Sequence, residues 1–303
     1  MIIGNRTAPT HENWFGLQVD ANGNLEWARI YMEPLGDYDG YLTLPTVDHL
    51  PLGGYQMTIP AYPGIQSLRL AEDGTPVWHR RYTADVGTDG YDLVGLSVGT
   101  DGGLSYAAYY IAPNGLDTIA TVVFKTNADG IPIWGRKILG GEFSAQAIGS
   151  ATNGDVLIAG NTSESTEDFT NSSVLRIGSE GDLLWAERFD SHRSIRAVQE
   201  LTNGDILLSP DLNTILLPDT STMLRIAADG TPLATYTDGS PTNLSGFQPS
   251  YYFLPTRSEA IAGADGSLTV MHTTEANGTM GVRRVHEPSG GDPTCGMEVA
   301  PLV

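Results

Sequence analysis

Apolar and polar residues alternate in short runs along the chain, and a turn containing glycine separates successive runs. The clearest turns align five segments without gaps on a central glycine that is followed four residues later by tryptophan or, once, by alanine. The aligned pairs are Gly23 with Trp27, Gly74 with Trp78, Gly130 with Trp134, Gly181 with Trp185, and Gly230 with Ala234. The glycines are 51, 56, 51 and 49 residues apart. Each segment predicts a β-hairpin, because alternation is the strand period and glycine adopts positive φ without steric cost.

A second turn motif precedes each hairpin. It is clearest at Asn153-Gly154-Asp and Asn203-Gly204-Asp, with looser copies at Asp101-Gly102, Asp265-Gly266 and Gly53-Gly54. In the best-preserved repeat the two motifs together predict four antiparallel strands. These strands are expected over residues 145–151, 155–161, 173–177 and 183–189.

Four antiparallel strands in about fifty residues, repeated along the chain, are typical of a propeller blade. We therefore predict an all-β fold, a single β-propeller domain over residues 1–303 with about six four-stranded blades, and seven as the alternative. A degenerate sixth copy holds Gly291 and Cys295 at the aligned positions. The predicted repeat units cover residues 1–31, 41–82, 91–138, 144–189, 194–236 and 248–299.

The first repeat begins within its second strand. Residues 2–7 align with residues 157–162, so the innermost strand of the first blade is absent from this segment. Unpaired strand edges promote association. We expect either the segment after Cys295 or residues outside this chain to cover that edge. The N-terminal residues also lack the charged and apolar regions of a signal peptide.

The four tryptophans at one repeat position predict packing between blades, since one buried aromatic side chain removes about 150–250 Å² from solvent. The alternative is an aromatic sugar-binding platform, which requires exposed rings on one face. Ala234 and Cys295 replace tryptophan in the last two repeats. The last two blade interfaces are therefore expected to pack more weakly.

A cationic side chain recurs five residues before the aligned glycine. We expect it to pair with a carboxylate or carbonyl at the blade edge, and the alternative is a channel of converging cations that binds anions. The residues at or near this position are Gln18, Arg69, Lys125, Arg176, Arg225 and Arg284.

The hairpin Val19-Asp20-Ala21-Asn22-Gly23-Asn24-Leu25-Glu26-Trp27 resembles the tryptophan-docking repeat of quinoprotein-type propellers, which reads Asp-x-x-Thr-Gly-x-x-x-Trp. The segment over residues 153–162 and the ending Gly291-Asp-Pro-Thr-Cys295-Gly resemble the repeat propellers of secreted and cell-surface bacterial proteins. The resemblance covers nearly the whole chain and implies a propeller fold. It implies no catalytic residue, because the vicinal cysteines of some quinoproteins are absent.

Composition narrows the class of partner. The formal charge is −20, from 36 acidic and 16 basic residues. A nucleic-acid surface requires clustered cations, so we expect no nucleic-acid partner. No apolar stretch approaches the length of a membrane span, and we expect no membrane insertion. Cys295 is the single cysteine, which excludes an internal disulfide and a thiolate zinc site.

Candidate chemistry is weak at every position. The segment from Thr126 to Trp134 departs from the sialidase Asp-box at Asp129 and Trp134. The residues after Asp20 lack the glycine and glutamate of an EF-hand, so a hairpin turn is expected there. The six histidines show no metal-binding spacing. We predict no catalytic, metal or cofactor residue, with calcium as the alternative at Asp85, Asp89 and Asp92.

Ordinary strand packing is the expected explanation of the tyrosine-rich groups, and the alternative is contact with a protein or glycan. They are Trp14-Phe15, Tyr38 with Tyr41, Tyr55 with Tyr62, Tyr106 with Tyr109-Tyr110, and Tyr251-Tyr252-Phe253. We predict a non-enzymatic extracellular or cell-surface module that binds protein or glycan, or other copies or subunits of a surface assembly. The alternative is a propeller enzyme, a glycan hydrolase or lyase or a quinone-dependent enzyme, with its site at the central channel.

Overall fold

The computed structural model describes fourteen segments of the chain, which form two compact units, Met1–Ala145 and Gln146–Val303. The described segments are 2–8, 11–32, 46–61, 64–83, 90–111, 120–138, 143–162, 171–189, 195–210, 222–237, 260–262, 268–274, 279–285 and 298–300. Each of them is built from β-strands and tight turns. The prediction of an all-β chain is confirmed, and no described helix could cross a membrane.

The N-terminal unit contains three antiparallel sheets in which neighbouring strands follow one another in sequence. The first sheet has the order β1-β2-β3, the second β4-β5-β6-β7, and the third β8-β9-β10-β11. These strands are β1 (Ile2–Ala8), β2 (His11–Val19), β3 (Leu25–Met32), β4 (Thr46–His49), β5 (Tyr55–Ala61), β6 (Gly64–Leu70), β7 (Pro76–Thr83), β8 (Gly90–Val98), β9 (Leu104–Ile111), β10 (Ala120–Thr126) and β11 (Pro132–Ile138).

Three further sheets follow, and apart from the first three residues of β12 they lie in the C-terminal unit. Their orders are β12-β13-β14-β15, β16-β17-β18-β19 and β20-β21-β22-β23. The strands are β12 (Phe143–Ser150), β13 (Val156–Thr162), β14 (Asn171–Ile177), β15 (Leu183–Phe189), β16 (Ile195–Glu200), β17 (Ile206–Pro210), β18 (Thr222–Ile226), β19 (Pro232–Thr237), β20 (Ala260–Ala262), β21 (Leu268–Thr274), β22 (Thr279–Val285) and β23 (Glu298–Ala300).

The four strands predicted for the fourth repeat are confirmed as β12 to β15, with boundaries that differ by two residues or fewer. A four-stranded antiparallel sheet whose strands follow in sequence has the topology of a propeller blade. The fold is propeller-like in its individual sheets. The predicted ring and its number of blades remain predictions.

The first sheet has three strands in the described chain, as the alignment of its repeat predicted. In the last sheet, Glu298–Ala300 pairs with β22, so that Val282 lies opposite Ala300 and Arg284 opposite Glu298. The described part of the segment after Cys295 is therefore the fourth strand of the last sheet. It does not complete the first sheet.

Both predicted turn motifs form the same compact turn. At Gly74 the amide donates to the carbonyl of Ala71 over 2.9 Å, and the amide of Ala71 donates to Thr75 over 2.8 Å. The same pair of bonds recurs in the upstream turns, for example around Gly154. The bonds also show that Gly53, with φ 89°, occupies the position of Gly154. Leu52 consequently takes the place of Asn153.

Central strands are buried on both faces, whereas outer strands are exposed. All residues of β6 are buried except the half-buried Arg69, while β7 is exposed along most of its length. Hydrophobic clusters join the first sheet to the second, the second to the third, and the fourth to the fifth. Each cluster lies between two neighbouring sheets of one unit. Because the central strands are buried on both faces, the hydrophobic core lies between the sheets.

Candidate functional site

The structure brings the repeated residues together at the interfaces between neighbouring sheets. Among the described residues, no group of three or more histidine, cysteine, aspartate or glutamate side chains could hold a metal ion. The recurring geometry is instead a set of hydrogen bonds that the outer strand of one sheet makes to a turn of the next sheet. We describe these interfaces first and then the surface outside them.

At the interface of the first two sheets, three side chains of β3 bind three successive carbonyl groups. Trp27 Nε1 donates to the carbonyl of Glu72 over 2.8 Å. Arg29 Nε donates to the carbonyl of Asp73 over 2.9 Å, and the hydroxyl of Tyr31 donates to that of Gly74 over 2.9 Å. We call this arrangement the Trp-Arg-Tyr clasp. Alternate residues of a strand share one face, which explains the spacing of two.

The clasp recurs between the second and third sheets with the same spacing. Trp78 Nε1 donates to the carbonyl of Ala128 over 3.1 Å, and Arg80 Nε donates to the carbonyl of Asp129 over 3.1 Å. The hydroxyl of Tyr82 donates to the carbonyl of Gly130 over 2.8 Å. Tryptophan was predicted at this interface, but the arginine and tyrosine were missed. Their signal in the sequence is the shared Trp-x-Arg-x-Tyr of β3 and β7.

The turn glycines are required at these interfaces for two reasons. Gly74 has φ +75°, and a Cβ at this position would lie 2.7 Å from the Trp27 ring. Gly130 has φ +74°, and its Cβ would lie 2.9 Å from Trp78. The turn therefore needs a residue that tolerates positive φ and has no side chain under the indole.

At the interface of the fourth and fifth sheets, the clasp is reduced to its tryptophan. Trp185 Nε1 donates to the carbonyl of Ala228 over 3.0 Å. Glu187 occupies the arginine position, and its Cγ would lie 2.7 Å from a Cβ at Gly230. Phe189 occupies the tyrosine position and is buried in the hydrophobic cluster. Phenylalanine lacks the hydroxyl, so it contributes packing without a hydrogen bond.

These contacts support the prediction that the tryptophans pack between sheets. Trp27, Trp78 and Trp185 are partly buried against the clusters of their interfaces, and Trp134 is 8% exposed. No aromatic platform is formed by these rings in the described chain. Ala234 lies in β19, but its side chain and Cys295 lie outside the described residues, so the weaker packing predicted there stays a prediction.

A buried ion-pair cluster joins the fourth and fifth sheets. Arg176 Nε donates to Asp155 Oδ2 over 2.8 Å, and Arg176 Nη2 lies 3.5 Å from Glu200 Oε1. All three side chains are at most 8% exposed. Glu200 also accepts from the backbone amide and hydroxyl of Thr152, over 2.6 and 2.7 Å. One guanidinium is thus shared by two carboxylates, one from its own sheet and one from the next.

The other cationic positions depend on the upstream turn of their own repeat. Arg225 Nη2 lies 2.7 Å from Asp205 Oδ2, which repeats the pair of Arg176 with Asp155. Where Gly54 replaces that aspartate, Arg69 Nη1 is buried without a hydrogen-bond partner. Burial lowers the pKa of Arg69 below its usual value. The predicted carboxylate pairing is confirmed for Arg176 and Arg225, and Arg284 has no described side chain.

Two positions of this set differ. Gln18 accepts hydrogen bonds from Trp27 Nε1 over 3.1 Å and from the hydroxyl of Tyr55 over 2.5 Å. Lys125 is 5% exposed and belongs to the interior of the third sheet. Gln18 therefore forms hydrogen bonds at the position where Arg176 and Arg225 form ion pairs. The predicted alternative, an anion channel lined by converging cations, gains no support from the contacts of the described members.

The tyrosine groups divide into buried residues, the half-buried Phe15, Tyr109 and Tyr110, and undescribed residues. Tyr106 is fully buried, its ring lies 4.6 Å from that of Phe124, and its hydroxyl lies 2.6 Å from Ser67 Oγ. Burial raises the pKa of Tyr106 well above its usual value. Trp14 and Tyr55 are likewise buried. Tyr38, Tyr41, Tyr62 and Tyr251-Tyr252-Phe253 lie outside the described residues.

The turn around Asp20 is the hairpin that the sequence predicts. Asp20 Oδ1 accepts from the amides of Asn22 and Asn24, each over 2.8 Å. A hydrogen bond from the side chain of Asn24 is the main reason that the pKa of Asp20 is lowered. The alternative calcium site at Asp85, Asp89 and Asp92 cannot be placed, because those side chains lie outside the described part of the chain.

Basic side chains are concentrated on two outer strands of the N-terminal unit. β7 carries His79, Arg80 and Arg81, β11 carries Arg136 and Lys137, and neither strand contains an acidic residue. All five side chains are exposed. Three exposed aliphatic residues lie beside them, namely Val77 at 60%, Ile131 at 50% and Ile133 at 53%.

Comparisons with known proteins assign no family. No protein-family model matches the chain, and no curated protein matches it in sequence. Solved structures with a partial likeness include a protein of unknown function from Bacteroides caccae, at 14% identity and TM-score 0.47, covering 78% of this chain and 68% of that one. A streptogramin B lyase has the same identity and TM-score, with 85% and 68% covered.

An aldose sugar dehydrogenase from Streptomyces coelicolor, in its PQQ-bound form, is 13% identical with TM-score 0.45, over 85% of this chain and 82% of that one. Identities and scores this low assign neither a fold nor an activity to the chain. Whatever is said of its function must come from its own residues.

Proposed function

We propose that this chain is a non-enzymatic binding or assembly module of an extracellular or cell-surface protein. The main support is the way its buried polar residues are used. Arg176 pairs with Asp155 and Glu200 across two sheets, and the clasp residues bind turn carbonyls. Catalytic sites, by contrast, gather titratable groups around a shared pocket.

The altered pKa values fit the same proposal. The pKa of Asp73 is lowered chiefly by a hydrogen bond from the amide of Thr75 within its own turn. Burial raises the pKa of Tyr82, which belongs to the second clasp. Each of these shifts has a local structural cause in a turn or an interface. None of them requires a reacting substrate.

The surface location rests on the resemblance to secreted bacterial propellers and on the charge of −20, which keeps a β-rich surface soluble. We propose protein, glycan or further copies of the chain as partners. No resident cofactor is part of the proposal.

Activity measurements on the purified chain test the proposal. The protein would be incubated with panels of glycosidase, polysaccharide-lyase and quinone-dependent dehydrogenase substrates, with and without calcium and PQQ. We expect no turnover above buffer. Turnover that is abolished by one substitution at a channel carboxylate would overturn the proposal in favour of a propeller enzyme. Residual turnover that such a substitution leaves unchanged would indicate a contaminating enzyme.

A further inference from the structure

Four polar side chains are fully buried where the second sheet faces the third. They are Gln56 and Thr58 of β5, Ser67 of β6 and Tyr106 of β9, and we call them the polar quartet. Gln56 Nε2 donates to Ser67 Oγ over 2.7 Å, and Ser67 Oγ lies 2.6 Å from the Tyr106 hydroxyl. Burial raises the pKa of Tyr106, and the nearby hydroxyls of Ser67 and Thr58 offset part of this rise. The quartet is therefore one group that spans the interface.

The same four repeat positions are apolar at the interface of the fourth and fifth sheets. Counted from the turn glycines of each repeat, the residues there are Leu157, Ala159, Val174 and Leu208. All four belong to the hydrophobic cluster of that interface. Burying an amide or a hydroxyl costs free energy unless the group forms hydrogen bonds. A change from four apolar to four polar residues therefore requires a complete set of hydrogen-bond partners.

The protein itself does not supply the complete set. Gln56 Nε2 donates to Ser67 and to the carbonyl of Met57, over 3.0 Å, which fixes the orientation of the amide. Gln56 Oε1 and Thr58 Oγ1 are buried and have no hydrogen-bond partner of normal geometry within the protein. The same is true of Thr46 Oγ1, and Thr46 lies opposite Thr58 in the register of β4 with β5. Three neighbouring positions on one face of the sheet thus carry an oxygen without a partner.

We infer that a water molecule is bound between Gln56 Oε1, Thr58 Oγ1 and Thr46 Oγ1. Gln56 and Thr58 are two residues apart on one strand, so their side chains lie on the same face. A buried water molecule makes about three hydrogen bonds to polar groups that lack other partners. Water can donate to the amide oxygen, and a threonine hydroxyl can donate or accept. This site lies inside the fold, goes beyond the proposed function and does not rest on it.

Water fits the site better than a cation does. The three oxygens are neutral, and a buried ion needs a charged partner to offset its loss of hydration. In the strand register the carboxylate closest to them belongs to Asp48, opposite Gln56, and Asp48 takes part in other interactions. The second competing explanation is a closed network, in which the Thr58 hydroxyl turns to the Tyr106 phenol and the site binds nothing.

Magnetic relaxation dispersion of water in a solution of the chain tests the inference, because it detects internal water molecules that exchange slowly. Globular proteins hold about one buried water per 27 residues, so the readout is a difference between variants. Gln56→Leu with Thr58→Val replaces both oxygens of β5 by apolar groups of similar size. We expect the dispersion amplitude to fall by the contribution of one water molecule.

The matched control is Thr126→Val, which makes the same chemical change at another fully buried threonine. Thr126 Oγ1 has a partner within the protein, because it donates to the carbonyl of Leu104 over 3.5 Å. We expect the control to leave the amplitude unchanged. Thermal melts establish that each variant is folded. If the double variant does not fold, the crystal structure of the wild-type chain decides the question alone.

That structure would be determined from crystals grown in rubidium chloride. We expect a density peak within hydrogen-bonding distance of Gln56 Oε1 and Thr58 Oγ1, without an anomalous rubidium signal. An unchanged amplitude in the folded double variant, or no peak between these oxygens, would overturn the inference in favour of a closed network. An anomalous peak would instead assign a cation site, and density larger than one water a small polar ligand. The proposed module function is tested separately, by turnover.

Discussion

The glycines of the interface turns meet two requirements at once: the backbone needs a positive φ, and the packing leaves no room for a Cβ. Alanine at Gly74 would adopt an unfavourable positive φ and place its Cβ 2.7 Å from the Trp27 ring. The first effect costs about 1–2 kcal/mol and overpacking adds about 1–3 kcal/mol. We expect Gly74→Ala to lower the free energy of unfolding by about 2–5 kcal/mol, measured by urea denaturation.

Gly23→Ala is the matched control for this prediction. Gly23 has φ +84° in the same type of turn, but a Cβ there would meet nothing within 4 Å. It should therefore show the backbone cost alone, about 1–2 kcal/mol. Equal losses in the two variants would mean that contact with the indole is unimportant.

Tyr31 makes the stability of the first clasp dependent on pH. Burial raises the pKa of its hydroxyl to about 12, compared with an ordinary value of 10.0. The folded state then holds the proton more tightly than the unfolded state. The stabilisation is complete below pH 10 and is lost as the pH rises towards 12. We expect Tyr31→Phe to reduce the loss of stability across this range.

Thermal melts at several pH values between about 8 and 12 measure this effect, with absorbance at the tyrosinate band as a direct titration. Some loss should remain in the variant, because the pKa values of Tyr82 and Tyr106 are also raised. An unchanged slope in Tyr31→Phe would show that this hydroxyl does not titrate differently in the folded protein.

How far the interface could be predicted varies with the residue. Trp27 and Trp78 stood out because tryptophan is rare and recurred at one position. Arg29 and Tyr31 did not stand out in the sequence, because the pattern they form with tryptophan is not repeated throughout. The third and fourth repeats have Ile138 and Phe189 at the tyrosine position. The acceptors could not be predicted at all. They are backbone carbonyls, which carry no side-chain signal in a sequence.

At the scale of strands and turns, Arg176 and Arg69 share a repeat position but have opposite environments. Arg176 is the shared cation of two buried carboxylates, so Arg176→Met would leave Asp155 and Glu200 buried without it. Removing one partner of a buried ion pair costs about 3–5 kcal/mol. We expect a loss of that size in chemical denaturation of Arg176→Met.

Arg69→Met is the comparison that isolates the ion pair. The buried Nη1 of Arg69 has no hydrogen-bond partner, so its removal relieves an unsatisfied donor. We expect this variant to be as stable as wild type, or more stable by about 1 kcal/mol. If both variants lost the same stability, packing of the aliphatic stem, and not charge, would explain the position.

The strand pattern was easier to predict than these pairings. Hairpins followed from glycine turns and alternation, and the predicted bounds of β13 and β15 match those observed to within one residue. The register at Gly53 was less clear because Leu52 replaces the usual aspartate or asparagine. The sequence contains a signal for the partner of Arg176, because an aspartate follows Asn-Gly in the two repeats that show the ion pair.

At the scale of the whole molecule, the sequence repeat predicts a closed ring of blades, whereas the structure establishes the individual sheets and the interfaces between neighbours. Blade-like sheets with shared interfaces are confirmed within each unit, because one local pattern specifies each sheet. Closure of the ring depends on pairing between distant segments, for which the sequence holds no periodic signal. The single propeller domain and its weaker final interfaces therefore remain predictions.

The net charge of −20 provides a test of the whole chain that also addresses the calcium alternative. Repulsion among the acidic residues destabilises the compact state, and salt screens it. We expect the melting temperature at pH 7 to rise between about 10 and 200 mM NaCl, where the Debye length falls below about 10 Å.

Magnesium and calcium chloride at equal ionic strength separate screening from specific binding. Screening depends on ionic strength, so the two salts should shift the melting temperature equally if no calcium site exists. A calcium site stabilises the folded state further, by an amount that grows with the free calcium concentration. An additional shift with calcium that is lost in Asp85→Asn with Asp89→Asn would place a calcium site in that loop and contradict the expectation of no metal.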